Sequence, residues 1–275
     1  MTPKEAVKKI VELFPFKGYM SAALERRNTN LNVAETVCRY LQPGARILDF
    51  GSGPCDKAAV LQLLGYKCSA LDDLQDDWHK LPGNKERIVE FARKSGVDFR
   101  LASESSRSFE KESFDMVMLL DVLEHSHDSP RNLLNSLLEM CKPGGYLLVT
   151  VPNAVNVRKR VDVCLGKTNY PRYEIFYYYP VPWRGHVREY VRDDLSKLAE
   201  YLKVEIMELR GCDHMLGKVP KALQPFYLLF TDFFDGLKDS WTLVVKKPKD
   251  WRPHNPSRSD IEAKIGKTTS YQYES

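Results

Sequence analysis

Arg46-Ile47-Leu48-Asp49-Phe50-Gly51-Ser52-Gly53 is the stretch whose reading decides the fold. Residues 46–50 read as a short buried strand. Gly51-Ser52-Gly53-Pro54-Cys55 then makes a Gly-rich turn into a helix carrying Ala58, Leu61 and Leu64, which Gly65 closes. Glycines at such a turn let backbone N–H groups approach a ligand, and a helix N-terminus adds partial positive charge. Asp72 lies 21 residues after Gly51, at the end of the next strand (66–71), where a carboxylate can hold a ribose diol. A nicotinamide dinucleotide is disfavoured, because its fingerprint needs glycine where this chain has Asp56. A phosphate-binding P-loop is excluded, because no Gly-Lys-Ser/Thr follows the turn.

The same rhythm continues outward. Residues 86–95 read as a helix, 97–101 as a strand, and 114–120 as a strand ending at Asp121. Ser129 and Pro130 suit the N-cap and first position of a helix lined by Leu133, Leu134, Leu137 and Leu138. Pro143-Gly144-Gly145 turns the chain into a fifth strand, 146–151. Upstream, Val33, Ala34, Val37, Cys38 and Leu41 share one face of a helix over 32–41, with Asn32 as its expected cap. Five alternations of strand and helix predict an α/β fold with a doubly wound parallel sheet. Its ligand site belongs at the carboxyl ends of the strands, which carry Gly51–Gly53, Asp72, Ser103, Asp121 and Asn153.

After residue 151 the rhythm breaks. Residues 153–190 are rich in aromatics, including Tyr170, Tyr173, Phe176, Tyr177, Tyr178, Tyr179 and Trp183, and read as a lid. A helix over 192–202 and two strands, 204–209 and 241–245, follow, with an apolar insertion at 212–239 between those strands. The chain thus divides into an N-terminal helical segment (1–43), a main domain (44–248) and a polar tail (249–275) read as mobile.

Three segments together resemble the class I S-adenosylmethionine-dependent methyltransferases. Ile47 to Gly53 is similar to their first motif. Phe114 to His125 resembles the segment after the fourth strand in the ubiquinone-biosynthesis-like branch, and Lys142 to Val149 the turn and strand that follow. The resemblance implies a seven-stranded, mostly parallel sheet with the last strand antiparallel. It implies S-adenosylmethionine as cofactor, its methionine part held by Asp49, Gly51, Ser52 and Gly53 and its ribose by Asp72. Asp73 and Leu74 would lie beside the adenine, and Asp121 beside the sulfonium. Ser103, with Glu104 next to it, stands where the family often has an acid for the adenine amine. Cys55 replaces the third glycine of the looser Gly-x-Gly-x-Gly form.

Arg184 to Tyr190 resembles the segment before the sixth strand in methyltransferases of sugar and polysaccharide clusters. That resemblance suggests a small-molecule hydroxyl acceptor, a sugar or glycan-linked group, with an aromatic or amine metabolite as the alternative. A methyltransferase-like domain that binds without catalysis is the reading of another class. Transfer to an alcohol profits from a base, and His186 is the first candidate, His125 the second and His214 the third.

Composition fits this reading and narrows it. The 275 residues are 43% hydrophobic and 28% charged, enough for a full core. A net charge of +4 gives no basic stripe, so nucleic acid is not expected as a partner. Cys38, Cys55, Cys68, Cys141, Cys164 and Cys212 form no metal-ligand spacing, so no metal is expected. Residues 1–14 have no signal-peptide core and no run is long enough to span a bilayer, so the chain reads as cytoplasmic.

Overall fold

The computed structural model describes residues 1–266 except 17, 21–22, 24–27, 103–108, 169 and 215. Ser103 and Glu104 therefore lie outside the described residues, as do the lid residue Asn169 and the end of the chain. Seven strands form one sheet in the order β3-β2-β1-β4-β5-β7-β6. They are β1 (Arg46–Phe50), β2 (Lys67–Asp72), β3 (Asp98–Leu101), β4 (Phe114–Leu120), β5 (Cys141–Pro152), β6 (Glu205–Cys212) and β7 (Ser240–Lys246). β7 runs antiparallel to both β5 and β6, and the other pairings are parallel. The order reverses beside β1, so the carboxyl ends of β1 and β4 open a crevice at the switch point.

Helices cover both faces. On one lie α1 (Pro3–Leu13), α2 (Thr29–Tyr40), α3 (Asp56–Leu63) and α4 (Asn84–Lys94), which bury Ile10, Val33, Val37, Leu61 and Phe91 with Ile47, Ala70 and Met116 of the sheet. On the other lie α5 (Pro130–Met140) and α8 (Arg192–Leu202), which bury Leu134, Leu137, Leu138, Leu195 and Leu202 with Leu48, Val117, Leu119 and Leu147. Strands buried on both faces read as continuous apolar runs, and residues 116–120 are one.

Four details differ from the sequence reading. α2 is capped by Asn28, whose Oδ1 accepts from the Leu31 N–H at 2.7 Å; Asn32 sits one turn inside and donates to Thr242 Oγ1 at 3.0 Å. Pro143-Gly144-Gly145 does not precede β5 but lies within it, next to an irregularity in the β4–β5 register. The lid, which has no clean period in sequence, carries two short helices, α6 (Val157–Cys164) and α7 (Tyr173–Tyr178), neither with a buried residue. The polar stretch 249–275 is anchored at its start. Trp251 is buried against α8 and its Nε1 donates to Leu202 O at 2.7 Å, while the His254 carbonyl accepts from Asn135 Nδ2 at 3.2 Å. A short helix, α10 (Arg258–Ile265), follows.

The insertion between β6 and β7 holds α9 (Gln224–Phe233), with Phe226, Leu229, Phe230 and Phe233 exposed. Its base is tied down by Asp213, which accepts from Tyr227 Oη and Thr231 Oγ1, each at 3.0 Å. Among the described residues no helix is long and apolar enough to cross a membrane.

Candidate active site

The crevice is a cleft of about 550 Å³. The turn after β1 forms its floor, with positive φ at Gly51 (71°) and Gly53 (52°). A Cβ on Gly51 would lie 2.4 Å from a Val122 methyl, so only glycine fits there. The N–H groups of this turn are already in use. Gly51 and Ser52 donate to Leu71 O at 2.8 and 3.2 Å, and Gly53 donates to Asp72 Oδ2 at 2.7 Å. The glycines thus supply close approach rather than a cradle of free donors, which corrects one part of the sequence expectation. Asp72 also accepts from the Leu74 N–H at 2.7 Å. Each of its carboxylate oxygens keeps a second lone pair for a ligand hydroxyl.

Asp49 and Ser52 are buried at the head of the turn. Neither carboxylate oxygen of Asp49, nor Ser52 Oγ, has a hydrogen-bond partner in the protein. Burial pushes Asp49 up to about 7, and Asp56 and Asp72 add to the rise against the pull of Lys57. Orphaned buried acceptors of this kind suit a cationic ligand group such as an α-ammonium. Asp121 lies across the cleft in left-handed backbone (φ 55°) and accepts from Thr150 Oγ1 at 3.0 Å. Asp73, expected beside the adenine, lines the cleft and is also paired with Arg184 of the lid at 3.3 Å, and Asp76 joins that pair at 3.1 Å.

The lid closes the other wall. Pro182, Trp183 and Arg184 line the cleft together with His125 and His127, and the Val181–Pro182 peptide is cis. His125 Nδ1 lies 2.7 Å from Arg184 O. A carbonyl only accepts, so Nδ1 carries a proton, and in the neutral ring the lone pair is on Nε2. His127 Nε2 likewise meets Trp183 O at 2.8 Å. His186 does not line the cleft. It stands behind His125, the rings 5.0 Å apart, and its Nδ1 bonds Glu189 Oε1 at 2.9 Å. Burial, with His125 and Lys159 beside it, pushes His186 down to about 4. Glu124, 4.0 Å from His186 Nε2, is pushed up to about 8 by burial and by Asp121. Both shifts disfavour the charged forms, and at 4.0 Å the contact is too long for a hydrogen bond. His214 bonds Ser240 Oγ at 3.0 Å and borders a separate small cavity that also touches Asp121.

Ligand atoms of Glu124, His125 and His186 all lie within 4.8 Å of one another. One carboxylate and two imidazoles could hold a divalent ion. Sequence spacing could not show this trio, because His186 reaches it from the lid, far along the chain from Glu124 and His125. Sequence reading passed over Tyr19, Trp78 and His127 as cleft residues, while Trp183 and Arg184 belong to the aromatic lid and the Arg184–Tyr190 segment it singled out.

Comparison with known proteins meets this geometry. The sequence model of a family described as "Methyltransferase domain" matches residues 20–205, more than half of the chain. The chain belongs to that methyltransferase family. Its members' cofactor is S-adenosylmethionine, and the orphaned Asp49 and Ser52, the glycine turn and Asp72 fit that group. Among relatives, the chain is 31% identical over 116 residues to a ubiquinone biosynthesis O-methyltransferase of Xanthomonas campestris, covering 42% of this chain and 46% of that protein. It is 24% identical over 174 residues to the Rickettsia prowazekii protein of the same name, covering 63% and 64%. The matches thus span about half to two thirds of the relatives' length. A solved S-adenosylmethionine-dependent methyltransferase from Aquifex aeolicus superposes with a TM-score of 0.51 at 15% identity, covering 87% of this methyltransferase and 97% of that chain. A Pyrococcus horikoshii protein gives 0.52 at 17%, covering 87% and 98%. These two likenesses show the shared fold.

Proposed function

We propose that this methyltransferase moves the methyl group of S-adenosylmethionine to a hydroxyl of a small ring-bearing acceptor, with His125 as the base. The observation that carries this reading is the fixed tautomer of His125. Its Nδ1–H is held by Arg184 O, and its Nε2 lone pair belongs to a residue lining the cleft beside Asp121. Held by Asp49, Ser52 and Asp72, the cofactor would give its methyl group to the acceptor oxygen and leave as S-adenosylhomocysteine. The hydroxyl proton passes to Nε2. Positioning supplies most of the rate in such a transfer, and the base adds to it. S-adenosylmethionine supplies the electrophilic methyl; the chain's own residues bind, orient and exclude water. His186, the first candidate from sequence, becomes a residue that supports His125 from behind.

For the acceptor, a phenolic hydroxyl is the first reading, supported by the named activity of the relatives and by the apolar wall of Val122, Pro182 and Trp183. A sugar or glycan-linked hydroxyl is the second, supported by the Arg184–Tyr190 segment, which begins at the cleft wall directly after Trp183. A homocysteine-coupled assay over phenols, sugars and amines separates them. Turnover with amines alone would remove the hydroxyl reading, and cofactor binding without turnover of any acceptor would favour a non-catalytic domain.

A further inference from the structure

The cleft wall carries another orphaned group. His79 is 3% exposed and lines the cleft, and neither of its ring nitrogens has a hydrogen-bond partner in the protein. Buried polar groups without partners are rare in native proteins and call for a reason. The ring is presented deliberately. The turn after β2 is closed by His79 N–H and Lys80 N–H donating to Asp76 O at 2.9 and 3.2 Å, and by Asn84 Nδ2 donating to Trp78 O at 2.6 Å. Trp78 packs beside it at 4.6 Å between centroids, and Tyr19 packs on Trp78 at 5.2 Å.

We infer that His79 is a hydrogen-bonding partner of the adenosine half of the cofactor, and so a positioning residue for the transfer. The inference rests on the cofactor assignment above. It follows from where the group sits. Asp72, the acid placed for the ribose, ends the strand that leads into this turn, and Trp78 and Tyr19 line the same part of the cleft. Asp73, the other polar group expected here, shares its carboxylate with Arg184, whereas the ring of His79 has no partner. Burial lowers the His79 pKa against the pull of Asp72, Asp76 and Asp73, which leaves a neutral ring at pH 7. A neutral imidazole offers one donor and one acceptor. The ribose hydroxyls and the adenine edge offer both as well, so the match needs no charge.

Calorimetric titration with S-adenosylhomocysteine and with 5′-methylthioadenosine, which lacks the amino-acid half, tests this. In His79→Leu both ligands should bind about 10-fold more weakly, the loss of one neutral hydrogen bond. His79→Asn, which keeps a donor and an acceptor, should recover part of that loss. In the wild-type protein, the imidazole nitrogen signals missing from the His79→Asn spectrum should shift when 5′-methylthioadenosine is added. Unchanged affinity for both ligands in a folded His79→Leu protein would overturn the inference. So would a loss confined to S-adenosylhomocysteine, or His79 signals that ignore 5′-methylthioadenosine. Failure of the wild-type protein to bind S-adenosylhomocysteine would remove the cofactor assignment along with it.

Discussion

At the residue scale, Asp49 links stability to the cofactor. A carboxyl in an unfolded chain titrates near 4, while burial holds Asp49 up to about 7 in the fold. Between those values the folded state keeps a proton that the unfolded state has lost. The contribution of Asp49 to the stability of the ligand-free protein should therefore fall as pH rises from about 4 to about 7 and stay level above. Glu124, pushed up to about 8, acts with the same sign. Asp49→Asn removes the charged form. Its melting temperature without ligand should exceed wild type by more at pH 8 than at pH 5, while S-adenosylmethionine binds at least about 10-fold more weakly. Equal gains at both pH values would contradict the buried-carboxyl reading. Asp72→Ala should weaken cofactor binding by about 1.5–3 kcal/mol, since a charged acceptor is lost. It also releases the N–H groups of Gly53 and Leu74, so calorimetry on Asp72→Asn should give a smaller loss.

The two histidines separate by the same logic. His125→Ala should lower kcat by about 10²–10⁴-fold with cofactor affinity little changed. His186→Ala should mainly lower thermal stability, because its ring is half-buried against His125 and bonded to Glu189. A large kcat loss in His186→Ala with normal kcat in His125→Ala would restore the order read from sequence.

At the scale of elements, the lid should be dispensable for folding and required for turnover. The rings of Tyr170, Tyr173, Phe176, Tyr177 and Tyr178 are all exposed, so α7 adds little to the core. Replacing residues 170–181 with a short Gly/Ser linker should leave the melting temperature nearly unchanged and reduce turnover strongly, because Trp183 and Arg184 lose their support over the cleft. A collapse in stability would mean that the lid is a core element. This contrast also explains what sequence could reveal. The β1 turn, the Asp72 spacing and the helix over 192–202 were legible, because strand period, turn chemistry and an apolar stripe are local signals. α6 and α7 were not, because an exposed helix has no stripe to read. Asn28 and Asn32 both qualify as caps four residues apart, and only packing against β7 selects the first. The Glu124–His125–His186 cluster and the Asp73–Arg184 pair join residues far apart in the chain, and no spacing rule reaches that far.

At the scale of the whole molecule, the two faces of the sheet are fastened differently. The face under α1–α4 is closed by the N-terminal helices. The face under α5 and α8 is closed in part by the C-terminal stretch, where Trp251 is 6% exposed, and Lys247, lying over its ring, donates to Cys141 O at 2.8 Å. Trp251→Ala should cost about 3–5 kcal/mol, the usual range for a large buried aromatic. Denaturant melts should show that loss without change in cofactor affinity, since the site lies at the opposite end of α8's packing. A loss below about 1 kcal/mol would mean that the stretch is only draped on the surface.

The contact between Gly51 and Val122 has a consequence for how such a chain can change over generations. Two independent barriers guard position 51: the left-handed backbone and the methyl that would meet a new side chain. Shrinking Val122 lifts only the second, and a left-handed alanine still costs about 1–2 kcal/mol. Val122→Ala should therefore be accepted by itself and should rescue Gly51→Ala only in part. A smaller residue at 122 thus opens no path away from glycine. The turn is an evolutionary dead end that its neighbour cannot unlock.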